Sequence, residues 1–127
     1  MANYDQLPVY KATYDLLIHI FHVGQHWRRD LRHTLGENLK QEVLAILQII
    51  YQANATTDKL PYLARARVMI VKVKVMIRIA KDLKLLKVKE FALFVQQTES
   101  VSKQLTAWER SVKKTYGMAG DNSVTKS

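Results

Sequence analysis

The stretch PYLARARVMIVKVKVMIRIAKDLKLLKVKE, Pro61 to Glu90, decides the fold. Two readings of it compete. The alternation Val71-Lys72-Val73-Lys74-Val75 and the many β-branched residues fit a strand with one wet face. The pattern nevertheless continues for about twenty-five residues without glycine or turn chemistry, and strands rarely exceed about ten. Length selects a helix.

At a helical advance of about 100° per residue, Arg67, Lys74, Arg78 and Lys81 fall within one narrow stripe. Most of the remaining surface is apolar, from Val68, Met69 and Ile70 through Val75, Ile77 and Ile79 to Leu83. One neighbour cannot cover that much apolar girth, so the helix predicts contacts beyond its own chain. Arg65 and Lys72, on the apolar side, mark the rim of such a contact, because an unpaired charge is costly in a sealed core. The same stretch holds nine basic residues against Asp82 and Glu90, a net of +7 out of the chain's +9. Charge so concentrated points to a polyanion as partner, a nucleic acid or an acidic membrane surface; the plain alternative is a solvated basic face.

Outward from this element the chain reads as further helices. Pro8 suits an opening turn, and Tyr10, Tyr14, Leu17 and Phe21, with Ile18 and Ile20, predict a core-facing stripe on a helix over about 8–27. Arg28 to His33 form a polar connection and a second basic cluster. Thr34-Leu35-Gly36-Glu37 matches a capping box, after which Leu39, Val43, Ile46, Ile50 and Ala53 keep the period of a helix over about 35–54. Thr56, Thr57 and Asp58 supply loop and N-cap chemistry before the basic helix, about 59–85. Lys81, Lys84 and Lys87 at its end suit the helix dipole. A reversal near Val88 leads to a last helix, about 88–114, with Phe91, Phe94 or Val95, Thr98, Val101, Leu105, Trp108 and Val112 as its seam. A disordered polar tail is expected over 115–127. The fold class is therefore all-α: one domain over 1–114, an up-down-up-down four-helix bundle that assembles as a homo-oligomer.

Composition removes several functions. The 127-residue chain contains no cysteine, so no disulfide scaffold or thiol chemistry is available. MANYDQLPVY lacks the basic start and apolar run of a signal peptide, and Lys72 and Lys74 interrupt the best candidate for a span, so a soluble, cytoplasmic protein is expected. Four widely spaced glycines exclude a phosphate loop, and serines occur only from Ser100 onward, outside any nucleophile elbow. His19, His22 and His26 share one side of the first helix and are the candidate ligands for a metal, but no carboxylate lies within the trio and no Glu-x-x-His motif completes it. No catalytic residue, cofactor or biological metal is expected. Aromatic residues sit at core periods and are not interleaved with the basic stripe, which argues against stacking on single strands.

The pieces LPVYKATYDLL (Leu7 to Leu17), TLGENL (Thr34 to Leu39), QAN (Gln52 to Asn54), RIAKDLK (Arg78 to Lys84) and KQLTAW (Lys103 to Trp108), in this order, resemble a known family. It is the small four-helix-bundle family that includes the accessory variability determinants of diversity-generating retroelements and the proteins of 23S rRNA intervening sequences. LPVYKATYDLL and RIAKDLK favour the retroelement branch, with the intervening-sequence type, of RNA-binding or unknown role, as the alternative. The resemblance implies a ring of five bundles with a basic surface and a central channel. Such a ring binds RNA or DNA and docks the reverse transcriptase, without catalysis of its own, in support of mutagenic cDNA synthesis; no membrane is involved. Family positions for nucleic-acid binding match Lys74 and Arg78 here, and Arg67, Lys72 and Lys81 join them from their place on the wheel. This reading requires the cations to stand free of acidic neighbours.

Overall fold

Apolar periodicity produces four long helices in the computed structural model, which describes residues 3–119. They are α1 (Pro8–Gly24), α2 (Glu37–Ala55), α3 (Leu60–Asp82) and α4 (Val88–Ala119). A 3-10 turn over Tyr4–Gln6 precedes α1, and no strand occurs among the described residues. The Val-Lys alternation lies wholly within α3. Val73 is fully buried while Val71 and Val75 are each 54% exposed, a division that only a helical twist can give to three alternate residues.

Each helix packs on two others: α1 on α2 and α4, and α3 on α2 and α4. Two contacts fix the direction of the chain. His19, near the end of α1, stacks on Phe94 near the start of α4 with ring centroids 3.9 Å apart, and its Nδ1 lies 2.8 Å from Gln97 Oε1. At the opposite end Tyr116 donates its hydroxyl hydrogen to Thr57 O over 2.7 Å, joining α4 to the α2–α3 connection. The architecture is thus an up-down-up-down bundle, and the α1–α2 and α3–α4 connections share one end of it.

Leu16, Ile20, Ile46, Ile70, Phe94 and Leu105 stand in the core with at most 2% of their surface exposed. Each such side chain contributes about 1.5–3 kcal/mol relative to an exposed position. All five residues read as the face of α2 are buried. The face of α1 differs from its reading: Val9, Thr13, Leu16, Leu17, Ile20 and Val23 point inward, while Tyr14, Ile18 and Phe21 are exposed. This helix carries two apolar stripes, and the aliphatic one fills the bundle centre.

The helix ends also depart from the sequence reading. α1 stops at Gly24, and Trp27 turns back from the connection into the core. The capping box at Thr34 does not form: Thr34 Oγ1 donates to Asp30 O (2.8 Å) inside a π-helical turn, Arg32–Gly36, that follows one helical turn at Arg29–Leu31. Lys59 caps the other end of α2 instead, with Nζ donating to Ala53 O (2.8 Å) and Thr56 O (2.7 Å). Asp58 does not cap α3, whose N-cap is Lys59, without a side-chain hydrogen bond.

The reversal without glycine between α3 and α4 has a definite construction. Leu85 N–H donates to Ala80 O and Lys84 N–H to Lys81 O, both over 2.9 Å, and Lys84 takes a left-handed φ of 63°. This is a Schellman ending with lysine where glycine is usual. Glu90 then reaches back to the N–H of Lys87 (2.8 Å) and opens α4. α4 runs to Ala119, so residues 115–119 are helical where a tail was expected, held by the Tyr116 bond to Thr57; the remainder of that tail, 120–127, lies outside the described residues.

Candidate nucleic-acid interface

The outward half of α3 has three bands. Val68, Val71, Val75 and Ile79 form an exposed apolar seam along its middle, Val68 reaching 71% exposure. Arg67, Lys74, Arg78 and Lys81 border the seam on the side of α4, and Arg65 and Lys72 border it toward α2. Four of the five predicted contact residues therefore lie together, and Lys72 is separated from them by the seam.

The expectation that these cations stand free does not hold for four of the five. Arg67 binds Glu109, which is buried in α4. Lys74 Nζ donates to Glu99 Oε2 over 3.0 Å, and Lys72 Nζ stands 3.5 Å from Glu42 Oε1 on α2. Arg78 pairs with Asp82 of its own helix, Nε to Oδ2 being 3.4 Å. Among the described residues Lys81 has no acidic partner, and it lies 5.2 Å from the centroid of the Phe91 ring. Apart from Asp82, these carboxylates belong to other helices, 25 to 42 residues away from their cations for the α4 pairs, so reading α3 alone could not reveal them.

The pairs are not equivalent. Glu99 is held below the ordinary carboxylate range, first by the hydrogen bond from Lys74 and then by its charge. As an exposed pair it constrains Lys74 only weakly, and a phosphate can take over the ammonium. Arg67 is committed, because releasing it would strand the buried Glu109.

The three candidate metal histidines do not converge. His19 is turned into the α1–α4 contact, whereas His22 and His26 face solvent. No group of three His, Asp or Glu side chains suited to a metal occurs among the described residues.

An open groove of about 640 Å³ lies between the N-terminal turn, α1, α2 and the start of α3, lined by Tyr4, Tyr10, Leu44, Gln48, Tyr51 and Arg65, among others. Its lining contains no carboxylate, histidine or serine. Burial, followed by the neighbouring Tyr4 and Asp5, raises Tyr10 above its ordinary pKa, so its phenol stays protonated. The groove offers stacking surface and donors but no acid–base pair.

Fold and surface together define a class: a small helical bundle that presents charged and apolar faces outward. Within that class the model of the bAvd-like family, accessory variability determinants of diversity-generating retroelements, matches residues 8–112, and the chain belongs to that family. Proteins of this family are generally non-catalytic, and they serve as accessories to the retroelement. No curated protein matches the chain. No helix among the described residues is long and apolar enough to cross a membrane.

Proposed function

We propose that this protein is a non-catalytic subunit that binds template RNA or its cDNA through phosphate contacts and docks the reverse transcriptase, supporting mutagenic cDNA synthesis. It acts as a ring of copies, five in the family pattern. The carrying observation is the outward face of α3, where an apolar seam of four aliphatic residues runs between two cationic borders. The seam is suited to a second copy of the chain; the borders meet a polyanion by exchange and not as free cations, since the exposed Lys74–Glu99 and Arg78–Asp82 pairs can trade a carboxylate for a phosphate.

A net charge of +9 supports this reading by drawing nucleic acid toward the protein. Affinity then comes from counterion release, without reading of sequence, and the polymerase or the RNA shape supplies selectivity. A salt titration tests the proposal. Binding of a structured RNA, followed by fluorescence anisotropy, should weaken by about 10³-fold or more between about 50 and 200 mM salt if six or more phosphates are contacted. Absence of binding at the lower salt would overturn it. Co-purification of the untagged protein with its reverse transcriptase tests the docking role separately.

A further inference from the structure

The bundle end formed by the α1–α2 and α3–α4 connections gathers Arg29, Arg32, Lys81, Lys84, Lys87 and Lys89. None of the six makes an ion pair among the described residues, and all but the half-buried Arg32 are exposed. The nearby carboxylates are already engaged: Asp30 faces Arg28 at 3.6 Å, Asp82 pairs with Arg78, and Glu90 accepts the N–H of Lys87. Cations without an ion pair among the described residues are therefore denser at this end than on the flank of α3, where Arg67, Lys72, Lys74 and Arg78 are paired; Arg110, Lys113 and Lys114, toward the far end of α4, form a smaller such group.

Local structure does not account for several of these cations. Lys84 occupies a left-handed position that glycine would take without steric cost. Lys87 and Lys89 stand at the N-terminus of α4, where the helix dipole disfavours positive charge; the sequence reading had credited Lys87 to the end of α3, where the dipole would favour it. Such local conflicts converging on one place mark a site under functional demand. No exposed Phe, Tyr or Trp occurs in 25–36 or 81–91, Trp27 being buried and Phe91 half-buried beneath Lys81, a composition that suits phosphates better than stacked bases.

We infer that this end is the primary phosphate-backbone contact surface for base-paired RNA, an inference that rests on the nucleic-acid-binding reading above. The experiment compares two variants of the full chain by anisotropy with an RNA hairpin across a salt series. One carries Arg29→Ala, Lys84→Gly, Lys87→Ala and Lys89→Ala; the other carries Lys74→Ala and Arg78→Ala. Circular dichroism and oligomer mass confirm that both remain folded and assembled.

The end variant should lose about tenfold or more in affinity and shed about two or more from its salt slope, a larger loss than the flank variant shows, because Glu99 and Asp82 already offset Lys74 and Arg78. Loss in the flank variant alone would overturn the end as the site and leave RNA binding intact. A wild-type chain that ignores the hairpin at about 50 mM salt, or that binds phosphatidylserine vesicles in its place, would overturn the functional reading and this inference with it. The single change Lys84→Gly separates charge from folding, because it should raise the melting temperature while lowering affinity.

Discussion

Lys84 and Lys74 illustrate how one residue type serves different ends within ten positions. Lys84 holds φ at 63°, a region that glycine enters without steric cost. Lys84→Gly should therefore stabilise the chain by about 1 kcal/mol, less the entropy that glycine adds to the unfolded state, and thermal unfolding should show a rise of a few degrees. Lys74 lies instead in regular helix and acts on Glu99. Because Glu99 is depressed in the folded state, its contribution to stability is present above its ordinary value of 4.5 and fades as pH falls through the lower folded value. Lys74→Ala should move the NMR titration of Glu99 upward toward that ordinary value and leave thermal stability at neutral pH nearly unchanged. Arg67 should behave differently: Arg67→Ala leaves Glu109 buried without its partner and should cost about 1–3 kcal/mol, measured by urea denaturation. None of these distinctions was legible in the sequence, where the lysines and arginines of α3 look interchangeable. For Arg67 and Lys74 the difference comes from what α4 places opposite them, and for Lys84 from the left-handed turn it occupies.

At the scale of the element, α2 and α3 show what periodicity can and cannot reveal. α2 has a single apolar stripe, so its buried face followed directly from Leu39, Val43, Ile46, Ile50 and Ala53. α1 has two, and hydrophobicity alone could not tell the aliphatic face that packs inward from Tyr14, Ile18 and Phe21, which do not. α3 is apolar nearly all round, and its length, not its pattern, excluded a strand. Its turn into α4 is legible only as a reversal near Val88, without its construction, because the Schellman ending uses lysine, which carries none of the signal that glycine would. The observed division of α3 makes a sharp prediction. Ile70→Ala, at a fully buried position, should cost about 2–5 kcal/mol, whereas Val71→Ala, one residue further, should stay within about 0.5 kcal/mol by chemical denaturation of dilute protein. Equal effects would contradict the helical division into buried and exposed residues.

For the whole molecule the central question is what covers the seam of Val68, Val71, Val75 and Ile79. A bundle that ended at one chain would have no reason to display four aliphatic residues in line, and an apolar line rimmed by charge marks an interaction surface. The apolar girth that the sequence already showed is thus only half consumed by the core. A second copy is the occupant proposed above, and its arrival would leave the cationic bundle ends, built mainly from the two connections, outside the contact. Assembly and RNA binding would then be separable by mutation. Val68→Glu with Val75→Glu places two carboxylates in the seam without touching the core, so circular dichroism should be unchanged while light scattering reports loss of the oligomer. RNA affinity should fall through lost multivalency, by about 10²-fold or more where several copies engage one RNA, yet the salt dependence of the residual binding should still reveal contacts made by each separate bundle end. An oligomer that survives both substitutions would assign assembly to another face and leave the seam to the polymerase.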